Sequence, residues 1–182
     1  MNVFYLDPDP KKCAEMHCDK HVVKMIIEYA QLLSTAHRVL DGTEYYDKTA
    51  NGRNIKRWFL PDDRELTLYK ASHVNHPSNI WVRQSVQHYN WLYQLWYQLC
   101  KEYTHRYEKE HLTFTKLKNI LGMNPNKLNN AGFVQPTPAM PDYCKKGTSL
   151  ESYRFYYIEE KKRFAKWTNR KTPTWFTQRI PS

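Results

Sequence analysis

From Cys13 to Leu40 apolar and polar positions recur with a helical period. Val22, Val23, Ile26, Ile27, Ala30 and Leu33 fall broadly on one side of a helix. His17, His21, Lys24, Glu28 and Gln31 follow one another at spacings of four, three, four and three, which aligns them as a polar stripe on the other side. The pattern predicts one long helix, launched by the Asp-Pro-Asp-Pro of positions 7 to 10 with Asp7 or Asp9 as N-cap, bending near Cys18 and Asp19, and closed by Asp41-Gly42 with glycine in the left-handed conformation. Val3 to Leu6 precede it as a short extended piece.

A second period runs from Ser78, as cap, to about Tyr107. Val82, Val86, Tyr89, Leu92, Tyr93, Trp96, Leu99, Cys100 and Tyr103 form its core face, with Trp81, Trp91 and Tyr97 packing against loops. A third runs from Thr148 to Thr168, capped by Thr148 or Ser149. Short helical pieces are expected over Arg64 to Ala71 and Phe114 to Leu121. Thr43 to Asp63 reads as a long polar loop with a turn at Asn51-Gly52 and a basic group, Arg53, Lys56 and Arg57, beside Trp58 and Phe59. Four prolines between Gly122 and Gly147 rule out regular structure over much of that segment. The expected fold is all-α: a single compact domain spanning 1–182, with three long helices and long ordered loops.

Composition changes this picture in one respect. At 41% hydrophobic and 25% charged the 182 residues are those of an ordinary globular protein, but 15% are aromatic and the formal net charge is +10. Excess positive charge draws polyanions, and aromatic rings offer faces on which unpaired bases stack. After Glu160 no acidic residue occurs. Lys161, Lys162, Arg163, Lys166, Arg170, Lys171 and Arg179 form a one-sign tail interleaved with Trp167, Trp175 and Phe176, the clearest nucleic-acid surface in the sequence. No apolar run approaches the ~20 residues that cross a bilayer, the amino terminus shows no leader, and the 4 cysteines form no CxxC pair. A cytoplasmic protein with reduced thiols, without a membrane partner and acting as a monomer, is expected.

The stripe allows several chemistries. Glu28 can act as general acid or base or stabilise a developing oxocarbenium charge, and Lys24 one turn away is a nucleophile if desolvated. Gln31, His17, His73 and His76 are candidate DNA contacts, as are Arg38 at the far end of the helix and Lys162, Lys166, Arg170, Lys171 and Trp175 of the tail. A metal reading of the same face uses Cys13, His17 and His21, spaced four apart, with Glu28, His73 or His76 completing a set. No metalloenzyme signature accompanies it, and no cofactor is expected.

Asp19-Lys20-His21 followed by Glu28, seven residues after His21, resembles the active helix of the small pyrimidine-dimer DNA glycosylase/AP lyases of the phage endonuclease V family. His73-Val74 before the second long helix, and Pro173-Thr174-Trp175 followed by an aromatic residue after a basic helix, resemble two further pieces of that family in the same order. The resemblance implies cleavage of a glycosidic bond in DNA carrying a damaged or modified base, with extrusion of the base from the duplex. It also implies an amine that forms an imine at sugar C1′, with strand cleavage by elimination. Glu28 then supports the sugar chemistry, His21 positions the DNA and the tail grips phosphate. The family's nucleophile is the α-amine of a small residue exposed by removal of methionine, whereas position 2 here is Asn2, and Ile27 stands where the family has an arginine. Three nucleophiles stay open: the N-terminal amine, Lys24 and water. Two other classes also remain, a non-catalytic DNA-binding accessory protein and a metal-dependent nucleotide or nucleic-acid hydrolase.

Overall fold

Val3, Phe4, Tyr5 and Leu6 form an apolar run too short to make a helix of its own, and the fold buries it whole, each residue at most 5% exposed. The computed structural model describes residues 1–177; Arg179 of the basic tail lies outside them. Val3 to Leu6 carry neither helix nor strand. Their backbone is satisfied by the core around them: Phe4 N–H donates to the Tyr29 hydroxyl, Leu6 N–H to Cys13 Sγ, Cys13 Sγ–H to Phe4 O, and Arg154 Nε–H to Leu6 O.

The expected first helix is two helices. α1 (Pro10–Met16) starts with Asp9 as N-cap, whose carboxylate accepts Lys11 N–H, and with Pro10 in the first turn. His17 and Cys18 are extended, and α2 (Asp19–Asp41) begins anew. Distant groups hold this break open by satisfying its backbone. Met16 O accepts from Trp167 Nε1 and Glu15 O from Arg106, while Cys18 N–H donates to the Tyr157 hydroxyl and Asp19 N–H to Lys166 O. The break removes His17 from the polar stripe, and within the unbroken α2 the stripe is narrower than its spacing suggests. His17 and His21 turn into the core, whereas Val23 and Ile27 are 44% and 40% exposed, because a second apolar row of Met25, Tyr29, Leu32 and Ala36 shares the buried side with Val22, Ile26, Ala30 and Leu33.

Gly42 closes α2 with φ −87°, in the extended region and not in the left-handed one. It is glycine for space: a Cβ there would stand 2.4 Å from Arg38 O. The segment expected to be a loop then forms an antiparallel hairpin, β1 (Thr43–Lys48) and β2 (Asn54–Phe59), in register from Thr43 opposite Phe59 to Lys48 opposite Asn54. Its turn includes Gly52 at φ 76°, as the Asn-Gly signal demands. The fold is therefore mainly helical without being purely α. The hairpin escaped the hydrophobic pattern because β1 is exposed along its whole length, so neither face carries an apolar period.

After α3 (Arg64–Thr67), the expected second long helix divides too. His76 Nδ1 accepts Ser78 N–H and caps α4 (Pro77–Val82), and Ser85 caps α5 (Val86–Tyr107) through Gln87 N–H. α5 crosses α2 in the core, where Trp96 Nε1 donates to Ile26 O and Tyr89 meets His37. Trp81 and Trp91 donate to Val134 O and Pro8 O, packing the helix ends against loops as expected. α6 (Leu112–Leu121) follows, and the proline-rich stretch that succeeds it has one 3-10 turn at Asp142–Cys144. The third long helix is not formed: α7 (Ser149–Tyr156), capped by Thr148, passes into a π turn at Tyr157–Lys161 and ends. The short α8 (Thr174–Thr177) completes the helices among the described residues, none of which is long and apolar enough to cross a membrane.

Candidate functional site

Burying residues 3 to 6 drags the amino terminus in with them, and it arrives at Glu28. The Met1 amine lies 3.4 Å from Glu28 Oε1, and Lys24 Nζ lies 3.7 Å from Glu28 Oε2. The two amines differ in surroundings. The Met1 side chain is 8% exposed, whereas that of Lys24 is 66% exposed and extends into water. Glu28 itself is 18% exposed, and its Oε2 is buried with no hydrogen-bond partner among the described residues.

Met1 is held from the side by Asn79 of α4. Asn79 Nδ2 donates to Ser72 O and His73 O and stands 3.6 Å from Met1 Sδ. Asn79 Oδ1 and Ser72 Oγ are likewise buried without a partner among the described residues. His73 is exposed and takes a left-handed backbone, φ 48°, an uncommon conformation for a residue with a Cβ. His76 is half-buried, and its pKa is lowered first by burial and then by the N-terminal amine and His73.

His21 sits behind this group. It stacks on Phe4 at 4.3 Å between ring centres and pairs with Tyr157, whose hydroxyl is 2.5 Å from Nδ1. The same hydroxyl accepts Cys18 N–H, so one phenol ties the ring to the start of α2. Burial first, then His17, Lys161, Lys24 and the N-terminal amine, push the His21 pKa down to about 2. The ring is neutral at working pH and carries no charge with which to grip phosphate.

Several expected DNA contacts have other partners. His17 is fully buried: the Tyr29 hydroxyl accepts Phe4 N–H and gives its proton to His17 Nε2, while His17 Nδ1–H donates to Cys13 O. Arg38 is a clamp inside the fold, donating to Trp58 O, Glu65 O, Leu68 O and Tyr69 O and paired with Glu65 at 2.6 Å. Arg170 makes a fork on Glu102, at 2.9 Å from Nη2 to Oε1 and 3.0 Å from Nε to Oε2, and is neutralised by it and by Glu15. Trp175 packs on Met16 Sδ through its indole N–H and lies under Arg154. Lys162, Lys166 and Lys171 are exposed, and Gln31 is half-exposed one turn beyond Glu28.

The metal reading lacks convergence. Both nitrogens of His17 are committed, and among the described residues no three of His, Cys, Asp and Glu come together as a metal set. The structure thus brings together Glu28, Lys24, His73, His76 and the N-terminal amine, one of the three nucleophiles left open, and adds Asn79; helical spacing reveals the place of neither Met1 nor Asn79. Their signal in the sequence is the apolar run at positions 3 to 6, whose burial leaves the first residue nowhere else to go.

Comparison with known proteins gives one match. A protein-family model described as pyrimidine dimer DNA glycosylase covers residues 1–115. That span holds every member of the Met1–Glu28 group and stops before the Pro173-Thr174-Trp175 segment. No curated protein and no solved structure matches the chain.

Proposed function

The chain belongs to the pyrimidine dimer DNA glycosylase family, and on that premise we propose that it is a DNA glycosylase for a damaged or modified base, with AP-lyase activity supplied by the Met1 amine. The observation that carries this reading is the 3.4 Å separation of that amine from Glu28. The burial of Val3 to Leu6 sets the α-amine beside the carboxylate, whereas the Lys24 side chain is mostly solvated. A neighbouring carboxylate can take the proton that the amine must lose.

The steps balance as follows. The amine lone pair forms a bond to sugar C1′ while the glycosidic bond breaks, and the base leaves with that electron pair and a proton. Glu28 offsets the positive charge developing on the sugar as the bond lengthens. The ring C1′–O4′ bond then opens as O4′ takes up a proton and the nitrogen gives one up, leaving an imine; a proton leaves C2′, the C3′–O bond breaks to release the downstream strand with its 5′ phosphate, and water hydrolyses the imine to free the amine. Lys24, more than half solvated, modulates Glu28 and is not the nucleophile. His21, neutral and tied to Tyr157, is a positioning residue that shapes the floor under Phe4. The protein acts as a single helical domain and a monomer on duplex DNA.

The test is Glu28→Gln. It keeps the side-chain volume and removes the base and the charge, so base release is expected to fall by at least about 100-fold, the lower end for loss of a general base, while DNA binding persists. Full turnover by this variant refutes the proposal.

A further inference from the structure

The β1–β2 hairpin plays no part in the chemistry above, yet β1 is exposed along its whole length and the hairpin holds aromatic rings in solvent. Tyr46 is 70% and Phe59 54% exposed. Lys48, Arg53 and Lys56 are also exposed; Lys56 reaches Glu44 at 3.1 Å, which leaves Lys48 and Arg53 without an ion-pair partner near the tip among the described residues. Solvent-facing aromatics beside cations on a two-stranded ribbon are costly to hold out of a core unless something covers them.

The base of the hairpin is rigid. Trp58 O is held by Arg38 Nη1, and Arg57 Nη1 donates to Ala71 O at 2.6 Å. Between hairpin and loop lies a cavity of about 370 Å³, with Ile55, Lys56 and Trp58 on one wall and residues 71–75 on the other. The second wall is the one that Asn79 ties to Met1, and it carries both the left-handed His73 and the unpartnered Ser72 Oγ. An aromatic ring, a cation and an unsatisfied polar atom therefore face one small slot next to the Met1–Glu28 group. The size lies within the range of small-ligand sites, and the chemistry is that which receives a flat, hydrogen-bonding ring attached to an anionic chain.

We propose that the hairpin is a DNA-contacting arm: the slot at its base takes a nucleobase unstacked from the duplex, and Tyr46, Lys48 and Arg53 hold the adjoining strand. The inference takes DNA as the partner from the reading above and needs nothing of its chemistry. Removing a base from the stack costs a few kcal/mol, and stacking on the arm offsets part of that cost.

Binding is measured in the Glu28→Gln protein, so that turnover does not enter. The probe is a duplex carrying a tetrahydrofuran abasic analogue, with 2-aminopurine opposite it or at either neighbouring position. The parent protein is expected to brighten 2-aminopurine at one of these positions. Tyr46→Ala with Lys56→Glu is expected to abolish the brightening and weaken binding about 5- to 150-fold, the span of lost base stacking. Arg53→Glu, at the exposed tip and harmless to the core, is expected to weaken binding and flatten its salt dependence. Binding by both variants within twofold of the parent, with the brightening intact, overturns the proposal, as does failure of the parent to bind the duplex. If the unsubstituted protein releases no base from any modified duplex but the hairpin variants still lose binding, the glycosylase reading falls and the arm stands. Base release with unaffected binding in the variants gives the reverse.

Discussion

Four histidines, His17, His21, His37 and His88, are buried, and three of them are shifted far enough to make the stability of this protein steeply dependent on acid. Burial, with Arg106, lowers the His17 pKa to about 3. Burial, with His17 and nearby amines, lowers that of His21 to about 2. Burial, with Arg64, lowers that of His37 to about 4. In the unfolded chain a histidine titrates near 6.5. As pH falls below that value the unfolded state takes up protons that the native state refuses, so stability is greatest above about pH 6.5 and declines on acidification. Each histidine contributes a slope of about 1.4 kcal/mol per pH unit. At pH 5, about 1.5 units below the unfolded value, each has cost about 2 kcal/mol and the three together about 6. The sum needs only native values below pH 5, not how far below. It is a large part of the roughly 5–15 kcal/mol that holds a domain together. Carboxylates titrate lower, so the interval from pH 7 to pH 5 isolates the histidines. Urea unfolding at constant ionic strength across that interval is expected to show a fall of at least that order and uptake of at least about three protons per unfolding event, since His76, His88 and His111 are shifted in the same direction. Stability constant to within about 1 kcal/mol refutes the assignment of these rings as buried and neutral.

Two substitutions probe the supports of the site. Arg106 is fully buried among Glu102, Asp19 and the carbonyl of Glu15, so Arg106→Met strands the Glu102 carboxylate with Arg170 alone. A loss of about 3–5 kcal/mol follows, which for a chain of this length lowers Tm by roughly 6–20 °C in a calorimetric scan. Tyr157→Phe leaves His21 Nδ1 and Cys18 N–H without their shared partner. That should cost about 1–3 kcal/mol and, by freeing the ring behind Glu28, shift the pH profile of base release, which a purely structural loss would not do.

The sequence and the structure agree where local chemistry decides. Asp9-Pro10, Asn51-Gly52 and Thr148 did locally what such residues do, and the Glu28, Lys24 and Gln31 edge of α2 is on the open side as its spacing requires. They part where distant groups intervene. The bend expected near Cys18 and Asp19 is a full break because the backbone groups it frees are satisfied by Tyr157 and Lys166, more than a hundred positions away, and at the unexpected break of Arg83 to Ser85, Val86 N–H goes to Asn129 O. Charge without geometry misleads in the same way. Arg38 and Arg170 look like phosphate ligands in the sequence, and in the fold their guanidinium groups are occupied by carbonyls and carboxylates. Asn2 drew attention away from the amino terminus, while the burial of Val3 to Leu6 brought it to Glu28.

The Met1 amine is the proposed nucleophile. Reduction with borohydride during incubation with duplex DNA carrying an abasic site, followed by proteolysis and mass spectrometry, reads the attacking nitrogen directly. A covalent adduct is expected on the Met1 peptide, persisting in Lys24→Ala and disappearing when the α-amine is acetylated or the chain is extended before Met1. An adduct on Lys24, or trapping that survives a blocked amino terminus, contradicts it.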